Sequence, residues 1–371
     1  MFSFNNLRPD APYWLLWILL GFTTTALAAE PQRLVSRARE LAQSPALAAA
    51  VVTSRSIDVY VSGVPRLGWP GRVDEDDAFH VGSDAKAMLA TVIAQEVEAG
   101  RLRWDTTLGE VLPDAAVTAR SEYRQITITD LLLHRSGLPQ LLTLEDLAFV
   151  PPLSGTVTEQ RRQFSIWALQ QPPTSPPGTA TLYSNAGYIV AAAMLERTTG
   201  QRYESLMQRR LFAPLEIRAR FAWPAAQDVR QPWGHASVDG QLVPVDPRDP
   251  AIQVPEWAVP AGHLSLSTGD FAKFVQLHLR GLRGIPTLLQ PSTFTQLHTP
   301  VGNYAYGWAV VELGDRQISF HEGATGLFYA LMIIDPAHDV AAVVVANSDG
   351  ESLPATAMQL ALDLMARRTR P

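Results

Sequence analysis

A chain of 371 residues with 47% hydrophobic and 18% charged content has the make-up of one large or two ordinary globular domains, which excludes a disordered polymer. Thirty Lys and Arg against 36 Asp and Glu leave a formal net charge of -6, so there is no broad basic surface for nucleic acid or anionic lipid, and nucleic acid is not expected as a partner. Cysteine is absent, which removes thiol catalysis, disulfide staples, lipidation at a mature N-terminal Cys and Cys-based zinc sites.

In chain order, Arg8 precedes an apolar run from Tyr13 to Phe22 and a small-x-small site at Ala26-Leu27-Ala28. This pattern predicts a signal peptide over residues 1–29, cut after Ala28 or Ala29, and a periplasmic or secreted protein. The alternative is an uncleaved membrane tether, but the run is short of the roughly 20 apolar residues a spanning helix needs. The spacing of Leu34, Ala38 and Leu41 predicts a helix over Pro31 to Ala49, followed by strands at Ala50-Val51-Val52 and Ile57 to Val61 and a loop over Gly63 to Asp77. A helix headed by Ser83 carries Met88, Leu89, Val92, Ile93 and Val97 on one face and stops at Gly100.

The stretch from Trp104 to about Gly281 is predicted to be helical with many breaks. Thr129-Asp130 caps a short helix, Thr158 to Gln171 and Tyr203 to Phe212 form two more, and another starts near Asn185. Ser267-Thr268 caps Asp270 to Leu279, and Asp239-Gly240 marks a hairpin. Four β-rich runs follow, Tyr306 to Leu313, Gln317 to His321, Leu327 to Ile334 and Val340 to Ala346, and then a closing helix, Pro354 to Arg368. Strands near both ends around a helical middle predict an α/β part over about 30–82 and 303–371 and an inserted helical part over about 83–302. The junction between them is the expected place for a pocket.

Three short stretches carry chemistry. In Gly82-Ser83-Asp84-Ala85-Lys86, a serine three residues before a lysine at a helix start puts hydroxyl and amine on one face. Lysine is scarce, occurring only at positions 86 and 273, and an amine desolvated near other cations can lose its proton and act as a base. Tyr183-Ser184-Asn185 supplies a phenol that can move a proton and an amide that can bind a substrate amide or hold the lysine. His321-Glu322-Gly323-Ala324 follows a strand, where a glycine admits close backbone approach and the next N–H can point at a developing oxyanion. Each residue also has a plain structural use: Ser83 and Asn185 as helix caps, Tyr183 as a half-buried aromatic, and His321 as a satisfied polar strand end. Lys273 reads as a surface charge, and Asn347 as a turn residue or a pocket wall. His80, His134 and His263 lack metal-ligand spacing, so no metal or other cofactor is expected.

With these motifs in this order, the sequence resembles the serine β-lactamase and penicillin-binding protein superfamily, most closely its class C β-lactamase, D-alanyl-D-alanine carboxypeptidase and esterase branch. Ile126 to Leu138, Pro260-Ala261-Gly262-His263-Leu264 and Tyr306-Gly307-Trp308 add to the resemblance, which spans roughly Ala49 to the C-terminus. It implies an α/β (α+β) fold of the β-lactamase/transpeptidase type with an antiparallel sheet. It also implies that Ser83 becomes acylated, that Lys86 and Tyr183 share the acid and base work, and that Asn185 orients Lys86 and the substrate amide. The N–H groups of Ser83 and Ala324 would form the oxyanion hole, with Gly323 and His321 lining the substrate site.

Glu322 and Leu327 depart from the family text. A carboxylate at position 322 facing the pocket would repel a β-lactam or a D-Ala-D-Ala terminus. The expected substrate is therefore a small ester, amide or D-amino-acid peptide, such as one derived from peptidoglycan, and the expected state is a monomer. The alternatives are a class C-like β-lactamase or carboxypeptidase, and a catalytically silent envelope-binding member of the fold.

Overall fold

Seven-residue runs of small and β-branched residues from opposite ends of the chain meet in one sheet. The computed structural model describes residues 31–314 and 316–368, so the expected signal peptide lies outside the described residues. The strands are β1 (Ala46–Val52), β2 (Ile57–Gly63), β3 (Ala78–His80), β4 (Ala219–Arg220), β5 (His235–Val238), β6 (Gln241–Pro244), β7 (Ser265–Ser267), β8 (Ala309–Leu313), β9 (Arg316–Ala324), β10 (Tyr329–Asp335) and β11 (Val340–Ala346). Six of them form an antiparallel sheet in the order β2-β1-β11-β10-β9-β8. β3, β7 and β4 make a small second sheet, and β5 pairs with β6.

All residues of β1, β10 and β11 are buried, which explains their unbroken apolar text. Alternate residues serve two cores. Leu47, Ala49, Leu331, Ile333 and Val344 face the terminal helices Pro31–Leu41 and Leu353–Arg368, while Ala48, Ala50, Ala330, Met332 and Val343 face the main core. The helix Thr268–Leu282, capped by Ser267, contributes Phe271, Phe274 and Val275 to that main core and packs against β1 and β11. It therefore belongs to the sheet layer, although sequence order places it in the helical middle.

Several boundaries differ from expectation for identifiable reasons. Ala46 to Ala49 is strand and not helix, because register with both β2 and β11 outweighs alanine's modest helix preference. The short helix Ile128–Leu132 is capped by Thr127, in a capping box with Asp130, two residues before the expected cap. Tyr306 to Trp308 is a turn with Gly307 at φ +84°, so β8 begins only at Ala309. The Asp239-Gly240 hairpin forms as expected, with φ of 50° and 77°.

Candidate active site

The Ser83 segment opens with a 3₁₀ turn, Gly82–Asp84, that runs directly into the helix Ala85–Glu98. That helix is buried on nearly all sides from Ala85 to Ala94, instead of showing one apolar face, so it is a core helix presenting only its first turn to a cleft. Ser83 is half-buried and Lys86 is wholly buried. Lys86 Nζ donates to Ser83 Oγ at 3.0 Å and to the carbonyl of Ala261. Burial pushes the Lys86 ammonium down to about 7, against the attraction of Asp84. A substantial free-amine fraction therefore exists near neutral pH.

Glycines close around this turn. A Cβ on Gly323 would overlap the Val81 carbonyl oxygen and lie 3.1 Å from Ser83 N. One on Gly262 would lie 3.1 Å from Ser83 N, and one on Gly82 would lie 3.3 Å from Ala324 N. The backbone amides of Ser83 and Ala324 are thus gathered at one spot by residues from three separate segments.

Tyr183 precedes the helix Asn185–Thr199, which is capped by Ser184. Lys86 Nζ sits 4.9 Å from the centroid of the Tyr183 ring. The phenol oxygen is buried and makes no hydrogen bond of good geometry. Burial raises its pKa, opposed by the nearby Ser83 hydroxyl, so the phenol is neutral in the resting site. Asn185 does not reach Lys86: its Nδ2 donates to Leu141 O at 2.7 Å, and its Oδ1 is buried without a partner. The role of holding the lysine falls to the Ala261 carbonyl. His134, at φ +57°, stacks 4.2 Å from Tyr183, accepts from Ser184 N at 3.0 Å through Nδ1, and leaves Nε2 unpartnered. Buried polar atoms without a hydrogen-bond partner thus occur at Tyr183 and Asn185 at the start of this helix, at His134 stacked on Tyr183, and at Asp84 beside the nucleophile.

His321 is placed behind the nucleophile. Its Nδ1 lies 3.0 Å from Asp84 Oδ1 and its Nε2 lies 3.1 Å from Tyr304 Oη, so both ring nitrogens are engaged and neither is free for substrate. Burial and the Lys86 ammonium hold it down to about 3, hence neutral. Glu322 points to the other face of β9, on the side of the second core, where it accepts from the Tyr329 hydroxyl. Leu327 is buried beside Gly234. Asn347 is a buried pin: it accepts from Ala46 N at 2.7 Å and donates to Pro65 O at 3.1 Å. Lys273, partly exposed, pairs with the buried Asp270. Among the described residues no group of three or more His, Cys, Asp or Glu could hold a metal.

Asp84, Tyr304 and the Ala261 carbonyl join the site without a local sequence signal for their roles. Asp84 lay within the Ser83–Lys86 text, and the glycines at 262 and 307 flanked the other two stretches.

The sheet, the buried lysine and the glycine-lined serine turn define a β-lactamase-fold serine hydrolase. Residues 32–365 match the family model described as Beta-lactamase, and the chain belongs to that family, within the serine β-lactamase and penicillin-binding protein superfamily. It is 28% identical over 319 residues to penicillin-binding protein 4 of Amycolatopsis lactamdurans, covering 82% of this chain and 81% of the relative. It is 26% identical over 361 residues to an unguisins hydrolase of Aspergillus violaceofuscus, covering 88% of this chain but only 62% of that longer protein. A class C β-lactamase from Rhodobacter sphaeroides shares the fold, with a TM-score of 0.73 over 92% of this chain and 99% of that chain, at 18% identity.

Proposed function

We propose that the protein is an exported hydrolase that opens an ester, amide or D-amino-acid peptide through an acyl-enzyme on Ser83. The observation that carries this reading is the 3.0 Å contact between Ser83 Oγ and the fully buried Lys86. In the reaction, Lys86 takes the Ser83 proton, directly or relayed through the neutral Tyr183 hydroxyl, as Oγ attacks the carbonyl, and the same pair returns a proton to the leaving group. The Ser83 and Ala324 amides bind the oxyanion, with Gly323 leaving room for it. Asn185 Oδ1 and the Tyr183 hydroxyl, both unpaired, meet the polar flank of the substrate.

An extended acyl group suits the site. β8 pairs with β9 only up to Phe320, so the β9 edge from His321 to Ala324 has no β8 partner beside Ser83. Such an edge can bind a peptide or amide as an added strand. A relative named for hydrolysis of unguisins and another named as a penicillin-binding protein are both compatible with amide chemistry. Export rests on the text of residues 13–28. The partner is a small-molecule substrate, such as a peptidoglycan fragment, taken by a monomer.

The test is turnover by the mature protein of a p-nitrophenyl ester, a D-amino-acid amide, a chromogenic cephalosporin and a fluorescent penicillin. Ester or amide turnover without penicillin labelling supports the proposal. Lactam turnover, or amide turnover together with penicillin labelling, transfers it to the lactamase or carboxypeptidase alternative. Inertness toward all four leaves the silent binding member.

A further inference from the structure

Asp84 sits one residue after the nucleophile, wholly buried, at the N-cap position of the helix Ala85–Glu98, but its side chain makes no capping hydrogen bond. One carboxyl oxygen meets His321 Nδ1 at 3.0 Å, while the other is buried without a hydrogen bond. An ionised carboxylate in such a place is costly unless a cation offsets it. The buried cation nearby is Lys86, two residues on, and each group acts on the other's titration.

The remaining groups around Asp84 are His321 and Glu322 on β9, Tyr329 on β10, Tyr304 in the turn before β8, and Tyr183. The hydrogen bonds permit two complete proton arrangements with the imidazole neutral in both. In one, the Tyr304 hydroxyl donates to His321 Nε2, and Nδ1–H donates to an ionised Asp84. In the other, protonated Asp84 donates to Nδ1, and Nε2–H donates to Tyr304 Oη, whose own proton turns to the nearby Tyr188 hydroxyl. Only the first places a negative charge beside Lys86, where it can offset the ammonium.

We propose that Asp84 is a positioning residue for the Ser83–Lys86 pair: tied to β9 through His321, it is the counter-charge of the ammonium that forms when Lys86 accepts the Ser83 proton. The step runs in the first arrangement and balances: the proton leaves Ser83 Oγ as the bond to the carbonyl carbon forms, resides on Lys86 and passes to the leaving group, while Asp84 stays ionised throughout. Asp84 never touches the substrate. Burial and Glu322 push its carboxyl well above the ordinary range, with Lys86 opposing, so Asp84 and Lys86 titrate as a coupled pair. This assignment rests on the acyl-enzyme reading above.

The test is the pH dependence of acylation by a p-nitrophenyl ester, followed by intact mass, for wild type and Asp84→Asn. The asparagine keeps an acceptor for His321 Nδ1–H and removes the charge. The variant's acid limb is expected to fall by about one pH unit, because the ammonium loses its attraction, with a lower plateau rate and unchanged KM. A folded variant whose limb coincides with wild type, or moves to higher pH, overturns the inference alone. Absence of any wild-type adduct overturns the acyl-enzyme reading and this inference with it. If Asp84→Asn does not fold, Asp84→Ser, which also lacks the charge, gives the same comparison.

Discussion

Gly323 and the Val81 carbonyl touch so closely that no side chain fits between them: a Cβ on Gly323 would overlap Val81 O and lie 2.9 Å from Val81 C. β9 is pressed onto the backbone entering the Ser83 turn, and the close approach fixes the turn and the Ala324 amide together.

Gly323→Ala should therefore displace the turn, with acylation falling by about 100-fold or more and stability by about 1–3 kcal/mol. Gly307→Ala should behave similarly, since its Cβ would lie 2.5 Å from Ala87 N on the lysine's own helix. Gly350→Ala, which meets nothing within 4 Å, should leave both quantities unchanged. Urea titrations and acylation rates on the three variants check this.

Lys86 gives a pH profile and a stability trade. Its pushed-down value of about 7 means that acylation rises with pH through about 7. Lys86→Arg keeps a cation that cannot lose its proton, and should be inactive at every pH. Because the folded value lies below the ordinary lysine value of 10.5, the unfolded chain binds the extra proton between those two pH values. The buried lysine therefore costs stability progressively as pH falls from about 10.5 to about 7. Lys86→Met should then be inactive and, at pH 7, more stable by an amount on the order of a few kcal/mol. Equal stability of the two proteins at pH 7 would count against the burial account.

Tyr183→Phe separates function from fold in another way. Removing a buried hydroxyl that has no hydrogen-bond partner should cost no stability, yet acylation should fall by roughly 100-fold or more. A marked loss of thermal stability with little change in acylation would reverse the assignment.

Buried histidines should make the protein acid-labile. Ser319 donates to His298 Nδ1 at 2.8 Å, His298 Nε2 to His278 Nδ1 at 2.9 Å, and His278 Nε2 to Thr91 Oγ1 at 3.0 Å, while Thr91 donates to Ala87 O. Every proton in this chain is assigned only when both imidazoles are neutral. Burial holds His298 down to about 3 and His263 to about 4, and lowers His80, His134 and His278 well below 6.5. Lowered folded values mean that the unfolded chain takes up the protons first, so this stability is present above pH 6.5 and declines toward pH 3 to 4. Each histidine contributes about 1.4 kcal/mol per pH unit in that window. Asp77 and Asp349, both raised to about 6, oppose the trend below that pH. Unfolding free energy should fall clearly between pH 7.5 and 5.5, with a shallower fall in His298→Asn. A flat profile would contradict the neutral chain.

The parts of the site carried by local spacing were legible in the sequence. Ser83 and Lys86 share a helix turn wherever that helix goes, and Tyr183 and Asn185 flank a clear cap. The sheet was legible from β-branched runs at both ends, but Ala46 to Ala49 was not, because only pairing with β2 and β11 makes that segment a strand. Contacts between distant segments carried no local signal: Ala261 O on Lys86, and Asp84 on His321. The orientation of Glu322 was partly readable, since adjacent strand residues point to opposite faces and His321 and Glu322 cannot both face Ser83. Which of the two does so is decided by Asp84, which holds the imidazole on its side.

The most direct test of the account is peptide mass mapping after a brief reaction with an activated ester, quenched in acid. The account predicts one added acyl group, on Ser83, absent in Ser83→Ala and in Lys86→Arg and strongly reduced in Tyr183→Phe. Ester turnover that persists in Ser83→Ala, or an acyl group found on any other residue, would contradict it.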